Sequence, residues 1–285
     1  MKSNKLFVIL VLLFLSTGIL SAQKKGHNNP YFFIQITDPQ FGMFENNNGF
    51  EKETALYKKA VKEVNRLNPD FVVITGDLVN NLKDTLQIAE FKRITKEINS
   101  RIPVYLIPGN HDIGNVPDSQ SINSYIKNYG YDSFSFKHKG ARFIGFNSSI
   151  IKNNTPYFNQ RQYEWIKKTL EKNKKAAHII IFCHYSFFNK AFDEPETYSN
   201  IGYEDRKKYL NLFAANEVDA VFSGHLHNNA STSFGKIQLV VSSAVGKPLG
   251  NAPSGLRIVR VYNDRIESDY YGLDEIPDSI TFNKK

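Results

Sequence analysis

The sequence predicts an α/β domain built on one mixed β-sheet or on two packed sheets. Two observations predict it. Short apolar runs alternate with longer segments of helical period up to Ile107, and strand-length runs dominate after Asp132. The 285 residues are 41% hydrophobic and 22% charged, an ordinary globular composition, and no repeat, low-complexity block or linker divides them.

Tyr31 to Thr37 reads as a buried strand, followed by a helix from Glu51 to Leu67 with Leu56, Ala60, Val61, Val64 and Leu67 on one face. Phe71 to Thr75 is the next strand, Leu86 to Ile98 the next helix and Pro103 to Ile107 a third strand. This order predicts parallel pairing with right-handed crossovers. A hairpin turns at Lys139-Gly140, between Ser133 to Phe136 and Ala141 to Asn147. Helices are expected at Gln160 to Glu171 and Glu204 to Ala215. The remaining strands are His178 to Cys183, Asp219 to Ser223, Ile237 to Ser242, Leu256 to Tyr262 and Ile266 to Tyr271.

The first 22 residues read as an export signal. Lys2 and Lys5 precede the apolar run Leu6 to Leu15, and small residues lead to a cut near Ala22, leaving a domain over 23–285. The run is shorter than the roughly 20 residues a membrane span needs. No cysteine lies beside the cut for lipid attachment, so the expected product is periplasmic or secreted, without stable membrane insertion. Cys183, the lone cysteine, sits in an apolar run and reads as a buried, inert thiol. Lys and Arg number 36 against 28 Asp and Glu, but they are scattered as doublets such as Lys58-Lys59 and Lys207-Lys208. No basic stripe interleaved with aromatics occurs, so no nucleic-acid partner is expected.

Polar residues suited to chemistry stand where strands end, the rim at which loops of α/β sheets converge. Asp38 and Gln40 follow the first strand, Asp77 the second, and Asn110, His111 and Asp112 the third. His184 ends the strand containing Cys183, and His225 and His227 end the strand at Phe222. Each alone has a bland reading: Asp38 as a helix cap, Asp77 as a turn residue, His184 as a satisfied strand-end histidine. Together they form a set of imidazole and oxygen donors suited to manganese, iron or zinc. Gly76, Gly109 and Gly224 precede Asp77, Asn110 and His225, where backbone must turn or approach closely.

This ordered set, with the runs Gly109 to Asn115 (GNHDIGN) and Phe222 to Ala230 (FSGHLHNNA), resembles the calcineurin-like metallophosphoesterase superfamily. The resemblance lies nearest the serine/threonine phosphatase branch of calcineurin-like phosphoesterase domain-containing protein 1. Asp38-Pro39-Gln40-Phe41-Gly42 and the same two runs carry that branch, and Val241 to Gly246, Gly255 to Val259 and Tyr270 to Glu275 extend it toward the C-terminus. It implies a four-layer αββα sandwich of two mixed sheets flanked by helices. It implies one metal on Asp38, Gln40, Asp77 and His227 and a second on Asp77, Asn110, His184 and His225, with Asp77 shared. Gln40 departs from the wider superfamily, where histidine is usual, and a carboxamide is the weaker, harder ligand.

The resemblance also implies hydrolysis of a phosphate ester by water activated between two ions, without a covalent phosphoenzyme. His111 would serve the leaving oxygen, and Asp112 would orient the His111 imidazole. Loops at Gln40 to Gly49 and Tyr185 to Tyr203 would set substrate choice, although most of their aromatics are expected to pack against their own domain. A phosphodiesterase, a scavenger of nucleotides or sugar phosphates, and an inactive metal-stabilised binding protein are the rival readings. A serine hydrolase is disfavoured because no Gly-x-Ser-x-Gly elbow occurs.

Overall fold

The computed structural model describes residues 29–153 and 155–283. The expected export signal lies outside them. Among the described residues no helix is long and apolar enough to cross a membrane.

Strand β1 (Tyr31–Ile36) leads to α1 (Glu51–Leu67), β2 (Val72–Thr75), α2 (Thr85–Thr95) and β3 (Val104–Ile107). A one-turn helix α3 (Asn110–Ile113) and α4 (Ser119–Tyr129) precede the hairpin β4 (Phe134–His138) and β5 (Ala141–Gly145). Then come α5 (Ser148–Lys152), α6 (Pro156–Glu171), β6 (Ile179–Phe182), α7 (Tyr203–Ala215) and β7 (Ala220–Ser223). The chain closes with β8 (Ala230–Phe234), β9 (Ile237–Val241), β10 (Gly255–Val261) and β11 (Ile266–Gly272).

These strands form a five-stranded sheet, order β11-β10-β1-β2-β3, and a six-stranded sheet, order β4-β5-β6-β7-β9-β8. Both are mixed: β1-β2-β3 and β5-β6-β7-β9 run parallel, and the remaining pairs are antiparallel. Alternation along each strand explains the layering. On β1, Phe33 enters the aromatic layer between the sheets, where it meets Phe71, Phe143, Phe182 and Phe222, while Ile34 and Ile36 face α1 and α2. On β6, Phe182 joins the same inner layer, and Ile179 and Ile181 pack toward α6 and α7. Strands buried on both faces read as unbroken apolar runs, which is why they were legible.

Several elements differ from expectation. Helix α4 is mostly polar, held by Ile122 and Tyr125 on one face and by an Asp118–Ser121 capping box. Strand β8 has no apolar run because it is an edge strand with alternating exposure. Helix α6 begins four residues early, with Pro156 in its first turn, and α2 stops at Thr95. Cys183 is buried as expected, and burial pushes its thiol well above the ordinary range.

Candidate metal centre

Asp38, Gln40, Asp77, Asn110, His184, His225 and His227 converge at the carboxyl ends of β1, β2, β3, β6 and β7, and all seven are buried. The four oxygen-bearing residues come from loops of the five-stranded sheet, and the three imidazoles from the six-stranded sheet. Donor atoms of Asp77, His184 and His225 lie within 4.8 Å of one another, as do those of Asp38, Asp77 and His227. Asp77 belongs to both groups.

The backbone is forced to make this possible. Asp38 (φ 51°), Gln40 (φ 38°), Asp77 (φ 48°), His225 (φ 66°) and His227 (φ 51°) are all left-handed, half of the ten such non-glycine residues described. Each costs about 1–2 kcal/mol in an L-residue. Surrounding hydrogen bonds offset that cost: His225 N donates to Asp38 Oδ2 at 3.1 Å, and His111 N to Asp77 Oδ1 at 2.9 Å. Gly76 turns with φ 88° directly before Asp77. Gly109 and Gly224 serve close approach instead. A Cβ on Gly109 would stand 2.1 Å from Asp77 Oδ1, and one on Gly224 would stand 1.8 Å from Thr37 Oγ1 and 2.6 Å from Asp38 Oδ2. Gly224→Ala is expected to lower stability by about 1–3 kcal/mol through overpacking. The urea unfolding midpoint measures this, and a midpoint equal to the parent's would contradict the close approach.

Each imidazole is pinned by a backbone carbonyl. Thr75 O lies 2.9 Å from His184 Nδ1, Tyr198 O 3.3 Å from His225 Nε2, and Lys247 O 2.6 Å from His227 Nδ1. In the neutral rings the pinned nitrogen is the N–H, so the other nitrogen presents a lone pair. Those nitrogens face one another or carboxylates. His225 Nδ1 is 3.2 Å from His184 Nε2, His184 Nε2 is 3.2 Å from Asp77 Oδ2, and His227 Nε2 is 3.5 Å from Asp38 Oδ1. Asn110 Oδ1 lies 3.2 Å from His184 Nε2, and Gln40 Oε1 is buried without a hydrogen-bond partner. Lone pairs facing lone pairs are repulsive unless positive charge lies between them. The donor set therefore fits a pair of metal ions.

Electrostatics point the same way. The ion-pair partners of Asp38 and Asp77 within 4.0 Å are histidines. Burial raises the Asp38 carboxyl against the pull of His227 and His184. Asp77 is driven well below the carboxylate range: burial opposes this, but His184, with His111 and His225 behind it, outweighs the burial. Burial pulls His184 down, yet Asp77 and then Asp38 push it up to about 9, whereas burial and the His184 charge take His225 down to about 3.

His111 is half-buried at the rim, with Nδ1 2.9 Å from Asn80 O, so Nε2 is the nitrogen left to meet a substrate. Asp112 does not orient it. Oδ1 of Asp112 accepts from Leu78 N at 2.9 Å and Val79 N at 3.3 Å, and Oδ2 from Gly109 N at 2.8 Å. Adjacent residues on a helical turn point apart, so Asp112 ties the loop after β2 to the loop after β3 while His111 faces outward. Burial, then the Asp77 charge, push the Asp112 carboxyl up to about 8 despite these N–H donors.

The loop aromatics divide. Phe41, Phe187 and Phe188 are buried in the helix-side cores, as expected for most of them. Tyr198 is 59% exposed and lies over the centre, with its ring 4.8 Å from that of His225 and its Oη accepting from Asn110 Nδ2 at 3.0 Å. Tyr198 is one of the Tyr185 to Tyr203 aromatics that the sequence offered without saying which would reach the site; Asn115, Asn80 and the carbonyls of Thr75 and Lys247 were not singled out. No local pattern marks them.

A two-sheet sandwich with a shared-carboxylate, histidine-rich donor cluster at its strand ends defines a metal-dependent phosphoesterase. The calcineurin-like phosphoesterase family profile matches residues 33–229, and the chain belongs to that family. It is 36% identical to serine/threonine-protein phosphatase CPPED1 of Homo sapiens, over 87% of this chain and 85% of the relative. The Danio rerio protein of the same name is 30% identical, over 91% and 90%. Among solved structures, a dimetal phosphatase from Danio rerio superposes with a TM-score of 0.61 at 14% identity, covering 86% of this chain and 97% of the other. Purple acid phosphatase PPD1 from yellow lupin gives 0.62 at 16% identity, covering 87% and 52%. Both have the fold seen here. The chain is a hydrolase of the metallophosphoesterase class.

Proposed function

We propose that the chain is a phosphomonoesterase acting on phosphoserine and phosphothreonine, with two ions drawn from manganese, iron and zinc. The observation that carries this is the Asp77-centred donor cluster in a chain 36% identical to a serine/threonine-protein phosphatase across nearly its whole length. Asp38, Gln40, Asp77 and His227 would hold one ion, and Asp77, Asn110, His184 and His225 the other. Bound there, the pair supplies Lewis-acid activation of water and of the phosphoryl oxygens for in-line displacement. The protein's share is positional: carbonyl-pinned imidazoles and left-handed loops fix the donors before substrate arrives. His111 Nε2 donates to the leaving oxygen as its bond to phosphorus breaks. The hard Gln40 oxygen favours manganese at the first position.

The test reconstitutes metal-stripped protein with Mn²⁺, Fe²⁺ or Zn²⁺ and compares an aryl phosphate, a bis-aryl phosphate, phosphoserine and phosphothreonine peptides, and small esters. Metal-dependent turnover with the highest kcat/KM on the phosphopeptides supports the proposal. Faster cleavage of the diester would replace it with a phosphodiesterase reading. The leader-like pattern of Lys2, Lys5 and Leu6 to Leu15 favours a second reading, an exported scavenger of small phosphate esters. A mature protein beginning at Gln23 outside the cytoplasm, with small esters preferred, would support that one. A cytoplasmic protein retaining Met1 would sink it.

A further inference from the structure

We propose that Asn47, Asn80 and Gln87 are positioning residues that decide which end of the Gln40 carboxamide faces the metal centre; this rests on the two-ion reading above. A carboxamide ligand has a difficulty that an imidazole pinned by a carbonyl does not. Turned by 180°, Gln40 would present an NH₂ group, which cannot bind a cation. Something must fix its direction.

The direction begins at two backbone amides. Gln87 Oε1 accepts from Asn80 N at 3.1 Å and Asn81 N at 2.9 Å, and a backbone N–H can only donate, so this end of Gln87 is oxygen. Its Nε2 therefore points at Asn47, donating to Oδ1 at 3.0 Å. The same Asn47 oxygen accepts from Asn80 Nδ2 at 2.8 Å. That leaves Asn80 Oδ1 to accept from Gln40 Nε2 at 3.0 Å. The remaining atom, Gln40 Oε1, is buried without a protein partner. Each carboxamide thus fixes the next, and the assignment of all four follows from backbone N–H groups that cannot flip.

The loop is shaped to admit this chain. A Cβ on Gly42 would lie 2.3 Å from Gln87 Nε2 and 3.1 Å from Asn47 Oδ1, so glycine there leaves the space that the amides occupy. Asn47 is itself left-handed (φ 69°), a conformation that asparagine and glycine tolerate. Gln87 is fully buried on α2, which anchors the far end.

The experiment uses the full chain, metal-stripped and titrated with Mn²⁺ alone. Two affinities are read by calorimetry, and pairing of the ions is read by electron paramagnetic resonance. Asn80→Leu removes the acceptor for Gln40 and is expected to weaken one Mn²⁺ site about 10- to 100-fold while sparing the other. An isolated-ion spectrum then replaces the coupled one at the same free Mn²⁺. Asn47→Gly, which keeps the backbone conformation but breaks the chain upstream, weakens the same site by a smaller factor. Asn47→Asp keeps the accepting oxygen and stays close to the parent. Should Asn80→Leu fail to fold, the Asn47 pair still decides the matter. Parent-like affinities in Asn47→Gly, equal weakening of both sites, or Asn47→Asp as weak as Asn47→Gly would each overturn the proposal. A parent protein that takes up no Mn²⁺ would instead remove the metal centre itself.

Discussion

Asp77→Asn is expected to reduce kcat/KM by about a thousandfold or more, a loss of about 4 kcal/mol in transition-state stabilisation. It is also expected to lower metal content from two ions per chain to fewer than one. The change is chosen to be gentle on the fold. Asparagine tolerates the left-handed backbone that Asp77 adopts, and it keeps the oxygen that accepts from His111 N. What it removes is the negative charge that both donor groups share. Two like-charged ions held close together need an anion between them, and a neutral carboxamide does not screen their repulsion. Metal analysis alongside steady-state kinetics checks the result. A variant that retains two ions would show that Asp77 is not the shared ligand.

His111→Asn should behave in the opposite way. Turnover is expected to fall about 10²- to 10⁴-fold, the range of a lost general acid, with two ions still bound. His111 reaches the rim from α3, and its Nδ1 is engaged by Asn80 O. Its ring is absent from both donor groups. Its backbone N–H, which Asp77 uses, survives the substitution. Equal losses of metal and turnover would reassign His111 to holding the centre together. A leaving group of low pKa, such as a nitrophenolate, needs less protonation. The same variant should therefore lose less on an aryl phosphate than on a phosphoserine peptide.

The contrast between these two residues shows what a sequence can carry. The convergence of these residues was legible because each follows a short apolar run that reads as a buried strand, and parallel strands bring their carboxyl ends to one rim. The glycines before Asp77, Asn110 and His225 added to the signal, Gly76 by its left-handed turn and Gly109 and Gly224 by close approach. Asp112 was misread for a physical reason: proximity in sequence stood in for proximity in space, and on a helical turn neighbouring side chains diverge. Asn80 went unmarked, and Tyr198 stood as one loop aromatic among several, for another. They reach the centre from irregular segments whose path is set by tertiary packing rather than by a period of 2 or 3.6. The left-handed conformations at Asp38, Gln40 and His227 likewise leave no trace in residue type, since none of the three is glycine. Helix α4 and strand β8 escaped because one is short of apolar residues and the other lies at an edge.

With oxygen donors on one sheet and imidazoles on the other, a pair of ions held as proposed would form a seam through the sandwich. Neither layer could then complete a coordination sphere by itself. The five-stranded layer is also unfinished until β10, near the end of the chain, pairs with β1. A nascent or partly unfolded chain with undocked layers would thus offer only half-sites of low affinity. Tight ion capture then becomes a late event that reports closure of the whole domain.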